Sequence, residues 1–303
     1  MFEQNWFWIF NLCIAIIIAL DLLVFHRKSH VVSIKEALWS SAFWIVFAMI
    51  FNLFVYYFKG SEGALNFLTG YLVEKALSVD NLFVFLLIFS YFRVPGHLLH
   101  KVLFWGIFGA IIMRAIFILF GIALIQNFHW VIYIFGLFLV ITGIKLALEK
   151  GKEIHPEKNF IIRNFEKFFS VSPHFVEDKF FIKQNGRYLA TPLFIVLLAI
   201  ETTDVIFAID SIPAIIGITE DPFIVYTSNI LAILGLRSLY FALSHILALF
   251  HYLHYGLALI LVFIGCKMLI SGYITIPILL SLGIIILILF LSILLSVINP
   301  RKL

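Results

Sequence analysis

The chain has 303 residues, 63% hydrophobic and only 13% charged, with a mean hydropathy of +1.10 and a formal charge of +4. Soluble domains carry about 25% charged residues, so the composition excludes a soluble globular protein and predicts an all-α polytopic membrane protein. The basic excess lies in loops and gives no reason to expect a nucleic-acid partner; 35 Phe and 11 Tyr suit lipid-facing and interfacial positions, making the lipid bilayer the expected surrounding.

The stretch Met1–Trp6 lacks the basic segment of a signal peptide and no small-residue cleavage site follows, so the first helix is expected to be retained. A span needs about 20 apolar residues. Windows that meet this lie near 5–25, 37–58, 64–92, 102–126, 130–148, 191–218, 223–250, 254–272 and 274–298, giving about nine transmembrane helices. The chain is read as a single transmembrane domain, 1–303. Within it, 1–60 holds two N-terminal helices, 64–148 and 191–272 hold two three-helix units, 149–190 is a loop and 274–298 is the last helix.

Loop charge sets the sidedness. The loops at 26–36, 93–101 and 149–190 and the tail Arg301-Lys302 are rich in Lys and Arg and belong on the cytoplasmic side. The alternate connections are poor in base, with Lys59 the exception, which puts the N-terminus outside and the C-terminus in the cytoplasm. The loop 149–190 is too short for a catalytic domain, and the chain is not expected to be an enzyme. Residues 160–169 have the spacing of a helix lying on the membrane surface. Asn185-Gly186 between alternating flanks predicts a short hairpin over 181–189.

The two halves resemble each other. Asp80 with Phe83 matches Asp204 with Phe207, Arg114 matches Arg237, and Gly143-Ile144-Lys145 matches Gly265-Cys266-Lys267. Each unit has three spans, an odd number, so the second enters the membrane from the opposite side. An inverted repeat with polar groups near the midplane is a transporter plan.

Within these spans lie Glu74, Asp80, Glu201, Asp204 and Asp210. An ionisable side chain at membrane depth costs about 2.5–3.5 kcal/mol on insertion scales, so five unbalanced acids need an explanation. Glu201 and Asp204 fall about 60° apart on a helix, but Asp210 falls about 180° from Glu201 and Asp80 about 120° from Glu74. Pro213 cannot donate to the carbonyl of Ile209, which predicts a kinked or unwound helix beside Asp210 and a free backbone oxygen there. Carboxylates, backbone carbonyls, the amide of Asn81 and the hydroxyls of Ser78 and Ser211 are ligands for hard divalent cations. With no Cys or His among them, manganese or magnesium fits better than copper, while zinc and iron stay open.

Arg114 and Arg237 also fall near mid-span. They could neutralise acids as buried ion pairs, but five carboxylates against two guanidiniums leave three negative charges for protons or a cation to balance. Elsewhere the bland readings win: Asp21 is interfacial, His245, His251 and His254 do not suggest haem, and Gly136, Gly143, Gly256 and Gly265 read as helix-packing positions. Cys13 and Cys266 are isolated thiols that support neither a disulfide nor a redox centre.

The segments Glu74-Lys75-Ala76-Leu77-Ser78-Val79-Asp80-Asn81 and Glu201-Thr202-Thr203-Asp204-Val205-Ile206-Phe207-Ala208-Ile209-Asp210-Ser211-Ile212-Pro213, with the Arg187–Phe194 run, resemble the signature motifs of the TerC family. That family is linked by name to tellurium resistance, and the likeness is to its pH-responsive Alx-type branch. The resemblance implies a bacterial inner-membrane exporter of manganese, within a wider cation-exporter group that includes the LysE-type fold. Its acidic positions match Glu74, Asp80, Glu201, Asp204 and Asp210 here. The family's redox-modulator label finds no support in two lone cysteines.

The expectation is therefore a divalent-cation exporter with Mn2+ as substrate, no permanently bound cofactor, and Glu74, Asp80, Asn81, Glu201, Asp204 and Asp210 as ligands. Ser78, Ser211, Pro213, Arg114 and Arg237 would support them. Proton coupling is a further expectation, since a carboxylate held out of water can trade a proton for a cation. The competing class is a non-transporting membrane subunit of a tellurium, pH or redox stress-response complex, its acids satisfied by the arginines. A third class, a membrane oxidoreductase, would need Cys13 and Cys266.

Overall fold

The computed structural model describes residues 2–20, 33–148, 169–184, 187–243, 252–274 and 276–298. The expected surface helix lies outside them except for Phe169, as do Asp21, His245 and His251. Among the described residues the helices are α1 (Phe2–Leu20), α2 (Ile34–Tyr91), α3 (Gly96–Asn127), α4 (Val131–Leu148), α5 (Pro192–Ile216), α6 (Pro222–Leu234), α7 (Leu236–Leu243), α8 (Leu253–Ile270) and α9 (Ile278–Ile298). Strands β1 (Phe181–Gln184) and β2 (Arg187–Ala190) pair antiparallel with Gln184 opposite Arg187, so the expected hairpin is present. Among the described residues seven helices, counting Pro222–Ala242 as one, are long and apolar enough to cross a membrane, and a shorter apolar segment, Trp6–Ile17, lies in α1.

Helix α2 accounts for two of the expected spans. Its 58 residues would reach about 87 Å if straight, nearly three times the hydrocarbon thickness. Gly60 interrupts it at φ 73°, ψ −173°, a conformation that favours glycine. The rings of Phe51 and Phe67 lie 5.5 Å apart, whereas 16 residues of straight helix would separate them by about 24 Å. The element is a helical hairpin, with arms 34–59 and 61–91.

Packing follows an exchange symmetry between the two units. The second arm of α2 runs beside α6, bringing Gly70 to Ser228 and Glu74 to Asn229. Correspondingly α3 runs beside α5, bringing Gly106 to Ile200 and Arg114 to Asp204. The third helices, α4 and α8, cross antiparallel. A Cβ added at Gly143 would lie 2.7 Å from the carbonyl oxygen of Ala258, with Val262 beside it. A Cβ added at Gly265 would lie 2.6 Å from the carbonyl oxygen of Gly136, with Val140 beside it. The repeat pairs Gly143 with Gly265, so Ala258 corresponds to Gly136 and Val262 to Val140. One contact is the other with the helices exchanged, which is what a two-fold axis between antiparallel helices produces.

Ion pairs group the loops as the charge pattern requires. Lys101 donates to the carboxylate of Asp178 at 3.0 Å, tying two basic loops to one face. Lys59 pairs at 2.5 Å with Asp221, which also caps α6 by accepting from the backbone N–H groups of Phe223 and Ile224. The one lysine on the base-poor side therefore has its charge matched. Two apolar clusters stack between these faces. One includes Phe67, Tyr71, Ile118, Ile122, Ala208, Ile212 and Ile230; the other includes Leu82, Leu98, Leu103, Leu193, Ile200, Leu236 and Tyr240.

Candidate functional site

The second arm of α2, α3 and α5 each pass from one apolar cluster to the other, and each carries a charged residue at the changeover: Glu74, Arg114 and Asp204. Tyr71 and Leu82 flank Glu74 along α2, Leu103 and Ile118 flank Arg114, and Ile200 and Ala208 flank Asp204. The three side chains thus meet halfway along the bundle. All are buried: Arg114 is 1% exposed, Glu74 0% and Asp204 3%.

Arg114 joins them. Its Nε and Nη2 donate to Oδ2 and Oδ1 of Asp204 at 3.2 and 3.3 Å, the side-on arrangement for which guanidinium is shaped. Its Nη1 donates to Oε1 of Glu74 and, at 3.2 Å, to Oγ of Ser211. Asp204 and Ser211 lie seven residues apart on α5, about 20° around the helix, so both face α3. Removing one partner of such a buried network costs about 3–5 kcal/mol, because the charge left behind has no water.

Asn229 supplies a fourth element. It lies on α6, which is buried from Phe223 to Leu234, and its Nδ2 donates to Oε2 of Glu74 at 3.0 Å. Beside it Lys75 donates from Nζ to the carbonyl of Ala232 at 2.8 Å, against the ring of Tyr71. There α6 ends and α7 begins, the junction being Gly235, where a Cβ would lie 2.7 Å from the Lys75 Nζ. The helix interruption expected at Pro213 is found here instead. Helix α5 runs unbroken from Pro192 to Ile216 through Pro213. Proline removes one donor to Ile209, but the buried residues around it, Ser211 to Ile216, hold the helical path.

The other expected site residues fall around this centre. Ser78 and Asn81 are buried on the second arm of α2. Asp80 is helical in backbone, and its side chain lies outside the described set. Glu201 is half-buried, its carboxylate lying over Gly109 of α3 where any larger residue would collide with it. Asp210 is half-buried, with Ile206 and Ile209 before it exposed. Arg237 is buried and lines a small cleft with Trp44, Phe104 and Phe108. Among the described residues, no three His, Cys, Asp or Glu side chains are arranged to hold a metal by themselves. Glu74 and Asp204 are engaged by Arg114. Cys13 and Cys266 are both exposed, on α1 and α8.

Sequence reasoning passed over Asn229, Lys75, Gly109 and Gly235. Lys75 stands inside the first acidic motif and belongs in the charge balance. Thr227-Ser228-Asn229 is a polar run inside an apolar span, a signal of the same kind as the acids but without charge.

The fold and this centre define a polytopic helical membrane protein built on two exchanged units, with a buried ionic cluster where they meet. Residues 59–303 match the integral membrane protein TerC family, and the chain belongs to that family. It is 51% identical over 284 residues to a Myxococcus xanthus protein described as "Uncharacterized membrane protein STKORF319", covering 94% of this chain and 89% of that one. A Rickettsia felis membrane protein is 46% identical over 293 residues, covering 97% of each chain. An Escherichia coli protein named "Putative membrane-bound redox modulator Alx" is 46% identical over 285 residues, 91% of this chain and 89% of that one. No solved structure matches the chain.

Proposed function

We propose that this protein exports a divalent cation, with Mn2+ as the substrate, across the bacterial inner membrane, its C-terminus in the cytoplasm. The observation that carries this reading is the meeting of Glu74 from the first unit and Asp204 from the second at the changeover between the two apolar clusters. Buried carboxylates from two exchanged units are the arrangement in which rocking one unit against the other moves a bound ion from one side to the other.

Charge supports the same reading. Near mid-span, Glu74, Asp80, Glu201, Asp204 and Asp210 are set against three cationic side chains, Lys75, Arg114 and Arg237, leaving aside Lys145 and Lys267 in the last turns of α4 and α8. Two negative charges remain, the number that one divalent cation or two protons neutralise. Arg114 then acts as an internal counter-ion: it holds Glu74 and Asp204 while no substrate is present, and an arriving cation must compete for them. Glu201, half-buried over Gly109, and Asp210 would receive the ion before that exchange, and returning protons would reset the acids. The amide and carboxylate oxygens around Glu74 suit a hard ion such as Mn2+.

A second reading, a non-transporting subunit of a stress-response complex, is favoured by Arg114 itself, which already pairs two of the acids. Binding separates the two. If the protein is an exporter, Mn2+ raises the unfolding temperature of the purified protein in a concentration-dependent way, and Glu201→Gln weakens the effect. An unfolding temperature indifferent to Mn2+ across the pH range would favour the subunit.

A further inference from the structure

Asn229 is fully buried, and its amide is oriented by its bond to Glu74: Nδ2 faces the carboxylate, so Oδ1 points elsewhere. That Oδ1 finds no hydrogen-bond partner among the described residues. Two hydroxyls on the helix that carries Glu74 share this condition. Ser78 Oγ, four residues after Glu74, and Tyr71 OH, three residues before, are both buried and without a partner among the described residues. Positions three and four apart lie on one face of a helix, so these oxygens flank Glu74 on its own helix while Asn229 closes it from α6. Buried polar groups in proteins almost always find partners. Three orphans on the elements that hold one carboxylate, whose own oxygens are bonded to Arg114 and to Asn229 Nδ2, indicate something missing from the shell. An amide carbonyl can only accept, and beside a carboxylate its natural complement is a cation.

We propose that Asn229 Oδ1 and Ser78 Oγ are neutral ligands that complete a cation site on Glu74, so that α6, which carries none of the acids, sets which divalent ion is taken. This rests on the transport reading. Neutral oxygens add coordination number without altering the charge balance, and they favour a hard ion of Mn2+ type over softer Zn2+.

The test is Mn2+ titration of the full-length purified protein by calorimetry, with Zn2+ and Mg2+ as competitors. Ser78→Ala removes an unpartnered hydroxyl; a purely structural role predicts unchanged or improved folding and unchanged binding. The proposal predicts intact folding with Mn2+ affinity lowered about tenfold, the scale seen when groups around a metal are removed. Asn229→Leu should lower affinity at least as much and narrow the preference for Mn2+ over Zn2+, while Asn229→Asp, which keeps the oxygen, should restore binding. If wild type binds Mn2+ and both Ser78→Ala and Asn229→Asp match it while Asn229→Leu, folded, also binds normally, the neutral-ligand proposal is overturned and the transport reading stands. Should Asn229→Leu fail to fold, Ser78→Ala decides alone. A wild-type protein that binds no Mn2+ removes the transport reading, and this proposal with it.

Discussion

Arg114 of the first unit and Asp204 of the second are joined by two hydrogen bonds, Nε to Oδ2 at 3.2 Å and Nη2 to Oδ1 at 3.3 Å, inside a centre less than 5% exposed. The contact crosses between the units, so it is both a structural tie and a brake on any motion that separates them. Arg114→Gln should lower stability by about 3–5 kcal/mol, the cost of orphaning a buried charge. The double variant Arg114→Gln with Asp204→Asn should recover part of that loss. Unfolding in detergent measures both, and equal stability of the single and double variants would show that the bonds are not coupled.

The mirrored crossing of α4 and α8 makes a paired prediction. Gly143→Val and Gly265→Val each force a side chain against backbone of the other helix. Each should destabilise by at least about 1–3 kcal/mol, as overpacking does, and by similar amounts because the two contacts are related by the same axis. Gly283 on α9 is the control, with nothing within 4 Å of an added Cβ. There alanine should be neutral or stabilising by up to about 1 kcal/mol, from helix propensity. Thermal unfolding of the three variants checks the pattern.

Asp221 both caps α6 and pairs with Lys59. Asp221→Ala should cost about 0.5–2 kcal/mol through the lost cap. Lys59→Ala should cost less, under about 1 kcal/mol, because the pair is partly solvated. Equal losses in denaturant unfolding would mean that the ion pair, not the cap, holds this end of α6.

On the opposite face, the hydrogen bond from Lys101 holds the Asp178 carboxyl below the usual carboxylate range, helped by the lysine's charge and opposed by slight burial. A lowered folded value means that the stabilisation is present above the ordinary value, about 3.9, and is lost as pH falls through the lowered one. Hydrogen exchange in β1 and β2, corrected for its intrinsic pH dependence, should therefore be unchanged from neutral pH to about 5 and rise only under stronger acid. Lys101→Ala should remove that acid dependence. A rise already at neutral pH in the wild type would contradict the assignment.

Much of this architecture was legible because hydrophobic run length and loop charge are read residue by residue. The windows 37–58 and 64–92 became the two arms of α2, and Lys101 with Asp178 ties two of the basic loops together. The inverted repeat was legible from Arg114 and Gly143 matching Arg237 and Gly265, since the same contacts must be made twice. What could not be read was which acid meets which base. Helix angle placed Glu201 and Asp204 together, yet Arg114 takes Asp204 and Glu74, because α3 packs along α5 and its long guanidinium side chain reaches Glu74 from there. Pro213 misled as to unwinding for a related reason: a proline's missing donor unwinds a helix only if packing permits, and the buried turn around it stays helical. Asn229 and Lys75 carried their signal as a neutral polar run and as a motif's second letter, and only three-dimensional proximity to Glu74 gives them meaning.

The most direct measurement is Mn2+ entry into proteoliposomes, followed with an enclosed Mn2+-sensitive dye. Wild-type protein should carry Mn2+ at a rate above that of empty vesicles. Glu74→Gln and Asp204→Asn, folded by size-exclusion chromatography, should fall to the empty-vesicle rate. Absence of flux with wild-type protein under any imposed pH gradient, or undiminished flux in both variants, would contradict a transport site built on these two carboxylates.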